Sequence, residues 1–268
     1  MFQSLHIGRP FGINTYIHPT FWLLPAYVFL SGASSVGLEA ASLDVAVLLA
    51  VFGCVGLHEL GHALAAKGFG IRTLDIVLYP LGGVARLERM PTRPWKEIVV
   101  ALAGPAVNVA IVALLAPLML ANSYTLAMFG PTQSFAESFW NRLLWGNAIL
   151  FAFNLLPAFP MDGGRVLRAL LASVMDRVTA TNVASKLGAV FAGLFVLAGA
   201  ISFNVMLVVL GIFLYMAGQA EARAVRQEAS FEPRIPVVRP RRDGWVFDAE
   251  RREWVEWRDG QPVRMIGV

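Results

Sequence analysis

Residues 43–66 read LDVAVLLAVFGCVGLHELGHALAA, an apolar run whose only charged or imidazole side chains are Asp44, His58, Glu59 and His62. A helix needs about 20 mainly apolar residues to cross ~30 Å of hydrocarbon, so this run is long enough to span a membrane. A charge at the bilayer centre costs at least ~2.5–3.5 kcal/mol, which makes ionisable groups retained there candidates for chemistry. On a helix, positions i and i+4 share a face about 6 Å apart along the axis, so His58 and His62 can offer two imidazoles to one ion. Glu59 lies near the same edge, placed to act on a metal-bound water rather than to ligate. By chance, His58-Glu59-Leu60-Gly61-His62 would arise in on the order of one chain in a hundred.

The rest of the chain has the same character. Of its 268 residues, 57% are hydrophobic and 15% charged, against roughly 45–50% and about 25% in soluble globular proteins. Apolar runs at about 19–37, 43–66, 97–121, 139–159, 183–201 and 203–219 predict an all-α polytopic membrane protein with about six transmembrane helices. The last two runs are parted only by Ser202-Phe203-Asn204 and are expected to form a tight helical hairpin. The single cysteine, Cys54, excludes an intramolecular disulfide and a cysteine metal cluster. A net charge of +4 without a basic run interleaved with aromatics excludes nucleic acid as a partner and leaves the lipid bilayer. Nothing in the sequence assigns an oligomeric state.

Alternating six spans places 21 of the 22 Lys and Arg residues on one face, with Arg142 alone on the other. Basic residues accumulate in short cytoplasmic loops, so both termini are predicted to be cytoplasmic. Arg outnumbers Lys 19 to 3, a compositional hint of a bacterial, hence inner-membrane, protein.

Between the second and third spans, residues 70–93 alternate apolar and polar positions around Pro80 and Gly82-Gly83, predicting a membrane-associated β-hairpin or re-entrant loop. Residues 163–178 read as an amphipathic surface helix. The composition turns to Arg, Glu and Pro near residue 221, dividing a 1–220 transmembrane core from a 221–268 cytoplasmic tail with a small β-hairpin or meander.

A hydrolytic Zn²⁺ site takes three protein ligands and keeps one position for water, so two histidines need a third partner. The remaining acceptors are Asp162, His18, His6 and Cys54. Asp162 sits between Pro157…Pro160-Met161 and Gly163-Gly164, which break the helix at the end of an apolar run; irregular backbone there is tolerable only beside a polar site. It is the expected third ligand, N-capping of the following helix being the plainer alternative. Cys54 reads as a buried small hydrophobe, and His18 as an interfacial anchor or a group behind the ligands.

His58-Glu59-Leu60-Gly61-His62, followed about a hundred residues later by Asn154…Pro157…Pro160-Met161-Asp162-Gly163-Gly164, resembles the site-2 protease family of intramembrane zinc metalloproteases. The resemblance covers roughly residues 5–218. Lesser matches are Gly8-Arg9-Pro10-Phe11-Gly12, His18-Pro19, Gly82-Gly83 and Ala103-Gly104-Pro105…Asn108. It implies one zinc ion per chain on His58, His62 and Asp162, Glu59 as general base and acid, and Asn154 near the reacting carbonyl. Met161 and Leu155 replace the family's usual Leu and frequent Pro without removing a functional group. No stretch is long enough for an inserted PDZ domain or paired CBS modules. The substrate would be a membrane-anchored protein cut in or near its transmembrane segment. A helix must unwind before hydrolysis, and the Gly82-Gly83 strand edge could hold the unwound stretch by β-addition. The alternative is a zinc transporter using the same ligands, for which Glu59 has no proton to move.

Overall fold

The computed structural model describes residues 4–80, 82–91, 93–126, 128, 134–231, 244–248, 253–258 and 261–267. The chain divides into two compact units, Met1–Val225 and Arg226–Val268.

The first unit opens with β1 (Leu5–Gly8) and β2 (Asn14–Ile17), followed by α1 (Leu23–Ser35) and α2 (Leu38–Gly68). The hairpin β3 (Thr73–Tyr79) and β4 (Gly82–Leu87) leads to α3 (Pro94–Ala121), then α4 (Phe135–Asn154), α5 (Asp162–Leu171), α6 (Arg177–Ile201) and α7 (Val205–Phe231). Pro94 at the first turn of α3 forfeits an amide that would have had no partner in the helix. Asp176 accepts from the Thr179 amide and so caps α6.

Among the described residues, α2, α3, α6 and α7 are long and apolar enough to cross a membrane. Two of the six expected spans do not meet that measure. The first apolar run yields only the 13-residue α1, because a 3-10 turn occupies Pro19–Trp22 and the chain reverses at Gly37, whose φ is +95°. The fourth yields α4, 20 residues long but carrying Glu137, Asn141, Arg142, Asn147 and Asn154. The hairpin near residue 202 forms as expected, with Gly199 pressed against Val208 of α7.

The β-hairpin between α2 and α3 is present and belongs to a larger sheet than the sequence indicated. Its order is β1-β2-β3-β4, with β2 parallel to β3 and the other pairs antiparallel. The opening residues supply β1 and β2; four-residue strands are too short for periodicity to reveal. Parallel pairing of Asn14–Ile17 with Asp75–Leu78 means that the chain, after traversing α1 and α2, returns to the face it left. The sheet seats Ile76 and Ala85 against Ile13, Leu60 and Ala63, which fixes it to the half of α2 that carries the histidines.

Residues 163–178 are not a surface helix. α5 stops at Leu171, and Arg168, expected to face water, is fully buried. Two carboxylates and an aromatic ring neutralise it, as described below.

In the second unit β5 (Gly244–Asp248), β6 (Glu253–Arg258) and β7 (Gln261–Gly267) form a three-stranded antiparallel meander, with Val255 buried and Phe247 against Trp254. The Arg- and Pro-rich stretch 232–243 lies outside the described residues.

Candidate metal centre

The site is built where α2, α3 and the start of α5 meet. His58 and His62 are one turn apart on α2, and Asp162 is the first residue of α5. All three are buried. The two Nε2 atoms lie 3.0 Å apart, and each lies 3.1 Å from Asp162 Oδ2.

The outer faces of both rings decide what those inner atoms are. His62 Nδ1 sits 2.7 Å from the Val100 carbonyl, which can only accept, so Nδ1 carries the proton. His58 is fixed by a relay. Asn147 donates to the Leu143 carbonyl (2.9 Å), which turns its own oxygen toward the Asn108 amide (2.9 Å); Asn108 therefore presents its oxygen to His58 Nδ1 at 2.6 Å. A backbone carbonyl at one end thus sets the tautomer of a ligand at the other. In the neutral rings both Nε2 atoms are then lone pairs facing each other and a carboxylate oxygen. Three acceptors converging within 3.1 Å in a buried pocket call for a cation.

The donor set fits zinc: two imidazoles and a carboxylate are the composition of catalytic zinc sites, and ligands ~2.0–2.1 Å from a tetrahedral ion stand about 3.3 Å apart. The three atoms are the metal-binding cluster found among the described residues.

Glycines admit the backbone that holds the ligands. A Cβ on Gly104 of α3 would lie 2.6 Å from His58 Nε2 and closer still to His62 Nε2, so only glycine lets α3 cross behind the pair. Gly61 abuts the Ala103 carbonyl and brings α2 and α3 together. Gly163 packs on the carbonyls of Leu155 and Leu156, and Gly164 on Ala158, so α5 starts directly over the loop that precedes it.

That loop is itself clamped. Fully buried Phe159 lies under the Arg168 guanidinium at 5.0 Å and contacts Gly188 of α6 and Gly218 of α7. Arg168 donates through Nε to Glu97 of α3 and through Nη1 to Glu221 of α7, both at 2.7 Å. Arg177 stands 3.7 Å from the second Glu97 oxygen. Two cations and two anions close a neutral network holding α5, and with it Asp162, to α3, α6 and α7.

Glu59, half-buried, does not join the triad. Its Oε2 accepts the Ala85 amide of edge strand β4 at 3.0 Å, and its Cγ lies against Gly83, where a Cβ would stand 2.6 Å away. Asn154 closes α4 and bonds the Leu150 carbonyl one turn back at 3.0 Å. The other acceptors weighed for third ligand lie elsewhere: His18 stacks on Tyr79 and caps the 3-10 turn, His6 meets Tyr16, and Cys54 packs with Leu115, Met119, Leu143 and Leu144. Sequence reading missed Asn147, Val100, Glu97 and Arg168 as supports. Polar Asn108 and Asn147 inside apolar runs were the available signal; a backbone carbonyl leaves none.

The comparisons with known proteins cover this whole assembly. The family model for peptidase family M50 matches residues 46–136 and 117–198. A zinc metalloprotease of Methanocaldococcus jannaschii is 34% identical over 233 residues, which is 87% of this chain and 64% of that one. A putative zinc metalloprotease of Synechocystis is 29% identical, with 87% and 63% covered. This chain therefore spans less than two thirds of the length of these relatives. The solved structure of the site-2 protease from Methanocaldococcus jannaschii superposes with a TM-score of 0.59 at 30% identity, over 82% of this chain and 95% of that one. Because the matched segments contain both histidines and the acid that meets them, the chain belongs to peptidase family M50, the site-2 protease family.

Proposed function

We propose that this chain is an intramembrane zinc metalloprotease that hydrolyses peptide bonds in or near the transmembrane segments of membrane-anchored proteins. The convergence of two histidine Nε2 atoms and a carboxylate oxygen at 3.0–3.1 Å, one residue from a half-buried glutamate, carries this reading. His58, His62 and Asp162 would hold one zinc ion, which when bound polarises a carbonyl and makes water nucleophilic near neutral pH. The Glu59 carboxylate takes a proton from the attacking water as its oxygen bonds to the scissile carbon, then gives that proton to the amine nitrogen as the C–N bond breaks. Asn154 commits one amide hydrogen to Leu150, and its other is assigned to the developing oxyanion. The outward edge of β4 at Gly82 and Gly83 receives the unwound substrate as an added strand, beside the Glu59 side chain. The carrier reading of the same ligands has no support in the relatives described above.

Residues 1–220 form the protease core and 221–268 a cytoplasmic tail in this reading, with α1 and α4 completing six passes. Lys67, Arg93, Lys96 and Arg177 gather at the end of the spans where the sheet lies, while Arg142 pairs with Asp44 at the start of α2. That segregation supports a cytoplasmic sheet and cytoplasmic termini. Proteomics of membrane fractions with wild type or Glu59→Gln tests the whole. Fragments truncated inside predicted spans should vanish with the variant while zinc content stays stoichiometric; unchanged fragments, or zinc lost with the carboxylate, would refute the assignment.

A further inference from the structure

A second polar cavity lies away from the metal centre, where the Arg9–Asn14 turn folds over the end of α2 and the Gly70–Leu74 connection. Its volume is about 330 Å³, at the lower end of ordinary ligand pockets. Arg9, Lys67 and Arg72 line it, none of its lining residues is acidic, and none of the three cations has an ion-pair partner among the described residues. Two of them are already oriented: Arg9 Nε donates to the Gly12 carbonyl at 3.1 Å, and Lys67 Nζ to the Phe11 carbonyl at 3.2 Å. Each keeps further N–H groups for an incoming acceptor.

Two carbonyls at the end of α2 that would repel an anion are occupied, since Ala66 and Lys67 accept from the amides of Phe69, Gly70 and Ile71. Gly12 and Gly70, at φ +86° and +73°, turn the chain without putting a side chain into the space.

We propose that this cavity binds a phosphate group, with Arg9, Lys67 and Arg72 supplying both the charge and the hydrogen-bond donors. Lys67 sits in the last turn of a membrane-length helix, at headgroup level, and exposed Phe11 and Leu74 flank the opening. That placement favours the headgroup of an anionic phospholipid over a soluble phosphate ester. An occupied pocket would tie β2 and β3 to the end of α2, five residues beyond His62.

Full-length protein in nanodiscs of phosphatidylcholine, with or without phosphatidylglycerol, tests this by native mass spectrometry of lipid retained per chain. One phosphatidylglycerol should be retained, roughly twentyfold more weakly in Arg9→Gln/Arg72→Gln. Arg89→Gln/Arg93→Gln, the same charge change on the same side, should leave retention unchanged. In a second arm, inorganic phosphate is titrated into the phosphatidylcholine discs. Stabilisation by phosphate, lost in Arg9→Gln/Arg72→Gln and without lipid retention, supports the phosphate site and assigns it to a soluble ester. No retention and no response to phosphate, or equal loss in both double variants, would overturn the proposal.

Discussion

Gly104 of α3 faces His62 of α2 so closely that a single added methyl would collide with the ligating Nε2. The metal site is thus bounded behind by a glycine, and the distance between two helices sets the position of the imidazoles. Gly104→Ala should favour the helix on intrinsic propensity yet displace both rings. We expect zinc affinity to fall roughly tenfold or more, read by competition with a chelating dye, since side chains that hold a metal tolerate only about 0.5 Å of displacement.

Asn108 orients His58 and is itself oriented by Asn147. Asn108→Leu should lower zinc affinity by about 10–100-fold, the usual cost of removing a ligand's outer partner. Asn147→Leu should cost less. The double variant should fall well short of the sum of the two, because both changes break one chain of bonds. Full additivity would show that the residues act separately.

Arg168 is fully buried against Glu97, which is 2% exposed. Arg168→Met should destabilise the protein by about 3–5 kcal/mol, since it strands a buried carboxylate. Adding Glu97→Met should recover most of that loss. Thermal unfolding in detergent gives both values, and zinc content measured in parallel shows whether α5 still presents Asp162.

Gly83 touches Glu59, so Gly83→Pro would disturb the proposed base as well as the strand edge. Gly83→Ala is the cleaner probe. Its Cβ would stand 2.6 Å from the Glu59 Cγ, so turnover should fall while zinc stays bound. Val84→Ala, at an exposed neighbour, should leave turnover close to wild type.

Removing zinc from the wild type with a strong chelator should lower the unfolding temperature in detergent, because three converging acceptors then lose the cation between them. The shift should be absent in Asp162→Asn if that variant no longer retains the ion.

Much of this protein was legible from residue order alone. Apolar runs of spanning length identified the bilayer as solvent, because crossing it requires a length that composition reports directly. His58, Glu59 and His62 declared themselves because helix periodicity places them on one edge, and Asp162 because prolines and glycines mark broken backbone inside an apolar region. Tertiary structure alone decided the rest. It made Arg168 an internal brace: an arginine at a helix position reads as exposed until Glu97 and Glu221, 71 and 53 residues away, are seen to meet it. It recruited the opening residues into a sheet, since the partner of a four-residue strand is chosen by contacts distant in sequence. It also set the His58 tautomer through two asparagines and a carbonyl on other helices. Local sequence encodes periodicity and solvent preference, whereas the pairing of groups across helices depends on distances that exist only once the chain has packed.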